Sequence, residues 1–352
     1  MTSVLPALPP ELRARVPAEV RGIRRDRVRL MVVDRAKRAV EHARFDQIER
    51  WLRPGDLLVV NTSRTLPAAV PAGRADGTFV QLRPCVRRPL GGGAEEWDAL
   101  SVQTQPPHQN VALTAGERLA LGGARARVLG RRDDIPYLWR LRVEADGVAL
   151  LADLGEPIRY SYVPERVEAD LYQTVYAARP GSAEPPSAGR PFTWELLQRL
   201  RAQGVGLAEV ILHTGLSSFQ DDGFDVEHRM FEEWYEVPDA TVAAVRETRL
   251  ARGGDPQGPR VLAVGTTVVR ALETAAQTGE LRAGRGWTDL VIRPGRRMRV
   301  TDALLTGFHE PQASHFDLLL AFVDEPLLAR AYSEAVMQRY LWHEFGDATL
   351  IV

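Results

Sequence analysis

The sequence predicts an α/β protein whose main domain holds a largely parallel sheet and carries an inserted small antiparallel β-barrel. Three observations predict it. After Glu156, apolar runs of strand length alternate with amphipathic helical stretches, as in a layered α/β sheet. Between about Pro71 and Glu144, short strand-like runs are separated by Gly-rich turns, as in a small barrel or sandwich. Ahead of that stretch lie further apolar runs suited to the α/β layer, so both chain ends build one domain. The expected boundaries are 1–69 and 151–352 for the α/β domain and 70–150 for the insertion.

Arg29-Leu-Met-Val-Val-Asp34 reads as the first strand. The Pro-Gly pair of Arg53-Pro-Gly-Asp56 turns the chain into Leu57-Leu-Val-Val-Asn61, an apolar run suited to a buried strand. In the insertion, Thr78–Leu82, Ala99–Gln103 and Ala124–Val128 are strands punctuated by turns at Gly91-Gly-Gly93 and Gly122-Gly123. Thr193 caps a helix with Leu196, Leu197 and Leu200 on one face, and Gly204 stops it. Leu207–Leu212 is a strand, Pro238–Ala251 a helix, Val261–Val264 a strand and Val268–Thr278 a helix ending at Gly279. Asp289–Ile292 reads as a further strand, and Leu318–Phe322 and Ala329–Leu341 as helices. No internal repeat is present.

The chain has 352 residues and a formal charge of −1, so nothing draws it as a whole toward nucleic acid. Arg is abundant and Lys nearly absent. The single cysteine, Cys85, excludes an internal disulfide and a cysteine-based metal site, and indicates a reducing compartment. No signal peptide precedes Glu19, and no apolar run reaches the roughly 20 residues of a membrane helix. The expectation is a cytoplasmic protein.

Chemistry concentrates at strand ends. In Val261-Leu-Ala-Val-Gly-Thr-Thr-Val-Val-Arg270 a strand runs through Gly-Thr-Thr directly into a helix. Free N–H groups and the helix dipole there favour a carboxylate or phosphate, while the plainer reading is that Thr266 or Thr267 only caps the helix. Arg270 in the first turn opposes the dipole, a conflict that a bound anion would relieve. His213, ahead of Gly215 at another strand end, is a serviceable base near neutral pH or a core histidine. Glu227–Glu236 mixes carboxylates and His228 with Phe231, Trp234 and Tyr235, which stack on a purine or fill a core. His309 lies in a turn-rich loop. No short spacing joins the histidines, so no metal is expected. Dinucleotide, P-loop and serine-hydrolase motifs are absent. Arg293-Pro-Gly-Arg-Arg-Met-Arg299 is a basic turn that could grip a phosphate backbone or simply be solvated.

The order and wording of these segments resemble the S-adenosylmethionine:tRNA ribosyltransferase-isomerase family of queuosine biosynthesis. The resemblance rests on Leu171-Tyr-Gln-Thr-Val-Tyr-Ala177, Ser187-Ala-Gly189 with Phe192-Thr193, and Leu212-His213 with Gly215. It continues through Glu227-His228 with Met230, Glu233-Trp-Tyr235, Ala263-Val-Gly-Thr-Thr267 with Arg270, Phe308-His309 and Gly346-Asp-Ala348. Toward the N-terminus, Leu8-Pro-Pro-Glu-Leu12, Arg53-Pro-Gly-Asp-Leu57 and Asn61 with Arg64 agree. Nearly the whole chain is covered.

The resemblance implies an α/β domain with an inserted barrel. It also implies transfer of the ribosyl part of S-adenosylmethionine to a 7-aminomethyl-7-deazaguanine in tRNA, with release of adenine and methionine. A sulfonium acidifies its C5′ hydrogens, so a base can start the rearrangement, and adenine departure needs protonation or hydrogen bonding at the purine. His213, His228, Glu233 and His309 become candidates for the proton transfers. Tyr172, Thr193, Gly215, Gly265, Thr266, Thr267 and Arg270 become candidate S-adenosylmethionine contacts, and Arg293, Arg296 and Arg297 candidate tRNA contacts. No cofactor beyond S-adenosylmethionine as substrate is implied; tRNA is the expected partner and no membrane is. Several positions depart from the family pattern: Pro191 and Phe231 stand where histidines are usual, Asn61-Thr-Ser-Arg64 replaces Asn-Asp-Thr-Arg, and Glu310 and Gln312 replace Leu and Lys. These changes keep open a small-molecule acceptor, or a ligand-binding protein without turnover.

Overall fold

The structure is a computed structural model that describes residues 8–106, 108–135, 137–160, 162–163, 165–216, 231–310 and 314–352. In chain order, β1 (Arg29–Asp34), β2 (Ala39–Arg44), β3 (Leu57–Asn61) and β4 (Ser63–Thr65) come first. Then follow β5 (Val70–Gly73), β6 (Phe79–Gly91), β7 (Ala94–Val102), β8 (Arg118–Leu121), β9 (Ala124–Arg131) and β10 (Leu138–Val143). After α1 (Gly147–Leu154) come β11 (Arg179–Ser182), α2 (Trp194–Ala202), β12 (Gly206–Leu212), β13 (Glu233–Val237) and α3 (Asp239–Arg252). The chain ends with β14 (Val261–Val264), α4 (Thr266–Ala275), β15 (Gly284–Thr288), β16 (Ala303–Gly307), α5 (Ser314–Leu319), α6 (Glu325–Met337) and β17 (Ala348–Ile351).

Among the described residues, nine strands form one sheet in the order β15-β13-β12-β3-β14-β16-β17-β1-β2. Strands β10-β7-β6-β5-β8-β9 close into a barrel, and β4 pairs with β11 in a separate ribbon. The predicted α/β layer and barrel are thus both present. The sheet is mixed, however. Its centre, β12-β3-β14-β16, is parallel, as is β17-β1, while β13, β15, β2 and the β16-β17 join are antiparallel.

Strand β3 is buried along its whole length, and its side chains divide by the two-residue period of a strand. Leu57 and Val59 pack with Val245 of α3, Val268 and Leu272 of α4 and Tyr332 of α6. Leu58 and Val60 point the other way, to Phe45, Ile48 and to Leu196 and Leu200 of α2. The barrel keeps its own core around Trp97, Leu82 and Leu141.

Some elements differ from expectation. Asp289–Ile292 forms no strand: Leu290 and Ile292 are buried, but they pack without sheet partners. The strand there is β15, whose Gly284 and Gly286 hide it from an apolar pattern. Helix α4 starts at Thr266 and stops at Ala275, earlier at both ends than the apolar periodicity suggests. Helix α6 begins at Glu325, where the Asp324 carboxylate accepts from Leu327 N, and it ends at Met337.

Candidate active site

The parallel strands β12, β3, β14 and β16 end together, which brings His213, Asn61, Gly265 and the Phe308-His309 step to one edge of the sheet. Because β17 runs antiparallel to β16, with Ala348 opposite Gly307, the Gly346-Asp347 turn reaches the same edge. Ligands of open α/β sheets bind outside such carboxyl ends.

At one end of this row a cavity of about 360 Å³ opens between the sheet and the barrel. His213, Glu233 and Trp234 line it from the sheet, Gly181 and Ser182 from β11, and Arg87 and Glu95 from the barrel. Asn61 sets this wall. Its side chain donates to Leu212 O (2.9 Å) and accepts from Leu212 N (3.0 Å) and Ser63 N (3.0 Å), locking the ends of β3 and β12 together. The His213 ring stacks on Trp234 at 5.1 Å, and its Nδ1 lies 2.8 Å from Ser63 Oγ. A Cβ on Gly181 would come within 2.3 Å of that ring, so only glycine permits the approach. Burial, with the Arg87 cation close by, lowers the His213 imidazole to about 4 from its ordinary 6.5, and the ring is therefore neutral at pH 7.

Glu233 meets His213 in the cavity, but its oxygens are already committed. One accepts from Gly215 N (3.0 Å) and the other from the buried Arg270 guanidinium. Arg270 also donates to Leu290 O (2.9 Å) and Thr288 O (3.4 Å). Glu233 is held between Gly215 and Arg270, and Arg270 near the start of α4 finds its counter-charge in Glu233. Gly215 is packed against the barrel, since a Cβ there would fall 2.3 Å from Cys85 O. Beside Glu95, which accepts two bonds from Arg87 (3.0 and 3.2 Å), Arg87 Nη1 is buried with no partner among the described residues.

The Gly265 turn lies outside the cavity lining. Gly265 is the N-cap of α4 with φ 98°, a conformation that favours glycine, and no side chain caps the helix. Thr266 and Thr267 therefore sit within α4, and neither hydroxyl performs the predicted capping. Thr267 Oγ1 accepts a long bond from Asn61 (3.4 Å). Thr193 caps α2, its hydroxyl oxygen accepting from Leu196 N (3.2 Å). Tyr172 is buried edge-on to Phe345 at 5.2 Å, and burial pushes its phenol up to about 12.

His309 stands apart from His213. Strands β3 and β14 lie between their strands, a separation of roughly 14 Å by ordinary strand spacing. It bonds Thr306 Oγ1 (2.9 Å) and stacks on His315 at 4.9 Å. Burial and the neighbouring His315 and His343 hold its imidazole well below the ordinary value, so it too is neutral. The substituted Glu310 pairs with Arg13 (3.3 Å) and His343 (3.4 Å). His228 and Gln312 lie outside the described residues. Neither Pro191 nor Phe231 lines the cavity.

The turn with Arg293, Arg296 and Arg297 is not brought to this edge. It leads to Arg299, which donates to Ala276 O (3.1 Å) just past the far end of α4, about 15 Å from Gly265 by helix rise. Among the described residues no three His, Cys, Asp or Glu side chains are grouped to hold a metal ion, and no helix is long and apolar enough to cross a membrane. Sequence reasoning missed Ser63, Ser182, Gly181 and Arg87. For Ser63 the one available signal was its place in the altered Asn61-Thr-Ser-Arg64 segment.

A mixed sheet with an inserted barrel, and between them a cleft with a neutral imidazole, carboxylates and indoles at the shared strand ends, define a class of α/β protein. Residues 6–351 match the family described as queuosine biosynthesis protein, and the chain belongs to that family. It is 38% identical over 347 residues to the S-adenosylmethionine:tRNA ribosyltransferase-isomerase of Thermotoga maritima, covering 98% of this chain and 97% of the relative. Relatives of the same name from Symbiobacterium thermophilum and Rubrobacter xylanophilus are each 38% identical over 349 residues, covering 98% of this chain and 97% and 95% of theirs. The crystal structure of the S-adenosylmethionine tRNA ribosyltransferase from Thermotoga maritima superposes with a TM-score of 0.55, covering 99% of both chains at 33% identity in that structural alignment.

Proposed function

We propose that the chain transfers and isomerises the ribosyl moiety of S-adenosylmethionine onto 7-aminomethyl-7-deazaguanine in tRNA, giving epoxyqueuosine-tRNA, adenine and methionine. The observation that carries this reading is the cavity itself, set in a chain that matches enzymes of that name from end to end. Its volume is within the range of small-ligand sites. Glu95, Glu232 and Glu233 are paired with Arg87, Arg88 and Arg270, so the features suited to a sulfonium cation are the π-faces of Trp234 and Trp287 and the Asp146 carboxylate. Arg87 Nη1 offers a donor to the methionine carboxylate. His213 faces the nucleoside, Glu233 and Asn61 hold the wall in place, and His309 with the Gly265 turn extends the site along the sheet edge. The exposed turn of Arg293, Arg296 and Arg297 serves a distant phosphate of the large tRNA acceptor.

The test follows adenine by chromatography. Protein with S-adenosylmethionine alone should release none, and addition of tRNA carrying the 7-aminomethyl-7-deazaguanine base should start release. Adenine formed at the full rate without tRNA would move the acceptor to a small molecule. No adenine under either condition would remove the catalytic reading.

A further inference from the structure

We infer that Ser182 and Ser63 are positioning residues that hold His213 in the tautomer with its proton on Nε2, so that the imidazole meets its ligand as a hydrogen-bond donor and not as a base. The inference rests on the cavity being the active site. It follows from where each hydroxyl proton can go.

Ser63 and Ser182 are fully buried. Ser182 Oγ accepts from Thr214 N at 3.1 Å and lies 2.6 Å from Ser63 Oγ, which lies 2.8 Å from His213 Nδ1. Two proton arrangements satisfy those contacts. In the first, Ser182 donates to Ser63 and Ser63 donates to Nδ1; every donor has one acceptor, and the ring proton must sit on Nε2. In the second, Nδ1–H donates to Ser63 and Ser63 donates to Ser182. The Ser182 hydroxyl proton then has no acceptor among the described residues, because its remaining neighbour, Thr214 N, is a donor. A buried hydroxyl donor without a partner is unfavourable by about tenfold or more in population, which selects the first arrangement.

The ring cannot escape the choice by turning over. Trp234 stacks on one face, and Gly181 lies against it closely enough that a Cβ would collide. Nε2 has no partner among the described residues, and His213 lines the cavity, so Nε2 is the nitrogen left for a ligand. A neutral imidazole presented this way stabilises charge that develops on a departing group, here the purine, by hydrogen bonding. Abstraction of the C5′ proton then falls to another group.

The test is ¹⁵N–¹H correlation of the full-length protein's imidazoles at pH 7, with His213 assigned by loss of its signals in His213→Gln. The expected wild-type pattern is a protonated Nε2 and a bare Nδ1. Ser63→Ala should give mixed tautomers and lower kcat by the fraction of rings that lose the Nε2 proton, about twofold for an even mixture. The Kd for S-adenosylmethionine should stay within about twofold of wild type, since the lost group acts after binding. Ser63→Thr, which keeps the hydroxyl, should restore both the tautomer and kcat. A proton on Nδ1 in the wild type, or an unchanged tautomer in Ser63→Ala, overturns the inference. A wild-type kcat in His213→Ala, which leaves no donor at that place, would instead remove the cavity from the reaction, and with it the reading beneath.

Discussion

At His213 two effects act in one direction. Burial and the Arg87 cation both disfavour the imidazolium, which places the folded value near 4 against an ordinary 6.5. Between those values the unfolded chain binds more protons than the folded one, so stability falls as pH drops through the window from 6.5 to 4 and is unaffected above it. At 1.36 kcal/mol per pH unit the ceiling is about 3 kcal/mol. His213→Gln should flatten this slope, measured as urea midpoints at pH 7 and pH 4.5. Arg87, Glu95, Asp146, Glu232 and Glu233 around the ring are the same in both proteins, so equal slopes in variant and wild type would show that His213 does not titrate as described. The histidine was legible in the sequence because a His at a strand end before a glycine is visible locally. Its partners were not: Ser63 and Ser182 are 119 residues apart, and Ser63 is 150 from His213. Only the pairing of β4 with β11 brings them together, and no local pattern encodes that register.

Among elements, the junction of β14 with α4 shows both the reach and the limit of pattern reasoning. Glycine between a strand and a helix was readable, and Gly265 does adopt a positive φ. Arg270 near the positive end of the helix dipole was readable as a conflict. The pairing with Glu233 was not, because that carboxylate comes from β13, distant in sequence. Removing one member of such a buried pair strands the other, so Arg270→Met should cost about 3–5 kcal/mol in denaturant unfolding. Adding Glu233→Leu should recover much of that loss, since the uncompensated carboxylate is gone. A double variant no more stable than Arg270→Met would mean that packing of the guanidinium, not its charge, holds α4 to β13.

For the molecule as a whole, the alternation of strands and helices after Glu156 and the Gly-punctuated stretch before it were enough to anticipate a sheet and a barrel. The antiparallel margins of the sheet were not anticipated, because β13 and β15 carry charged, aromatic and glycine residues instead of an apolar run. The arginine turn belongs to this scale, since it can matter only to a ligand that spans the protein. Replacing Arg293, Arg296 and Arg297 by Gln should leave the S-adenosylmethionine Kd unchanged and weaken tRNA binding. The slope of log K against log salt should fall by about one for each phosphate no longer neutralised. An unchanged slope would assign the turn to solvent. The chain leaves the sheet for the barrel through β4 and returns through β11, and these two short strands supply Ser63 and Ser182. The alignment of the imidazole is thus set on the two strands through which the barrel joins the sheet. A change confined to that joint should therefore be readable at the ring without touching the ring itself.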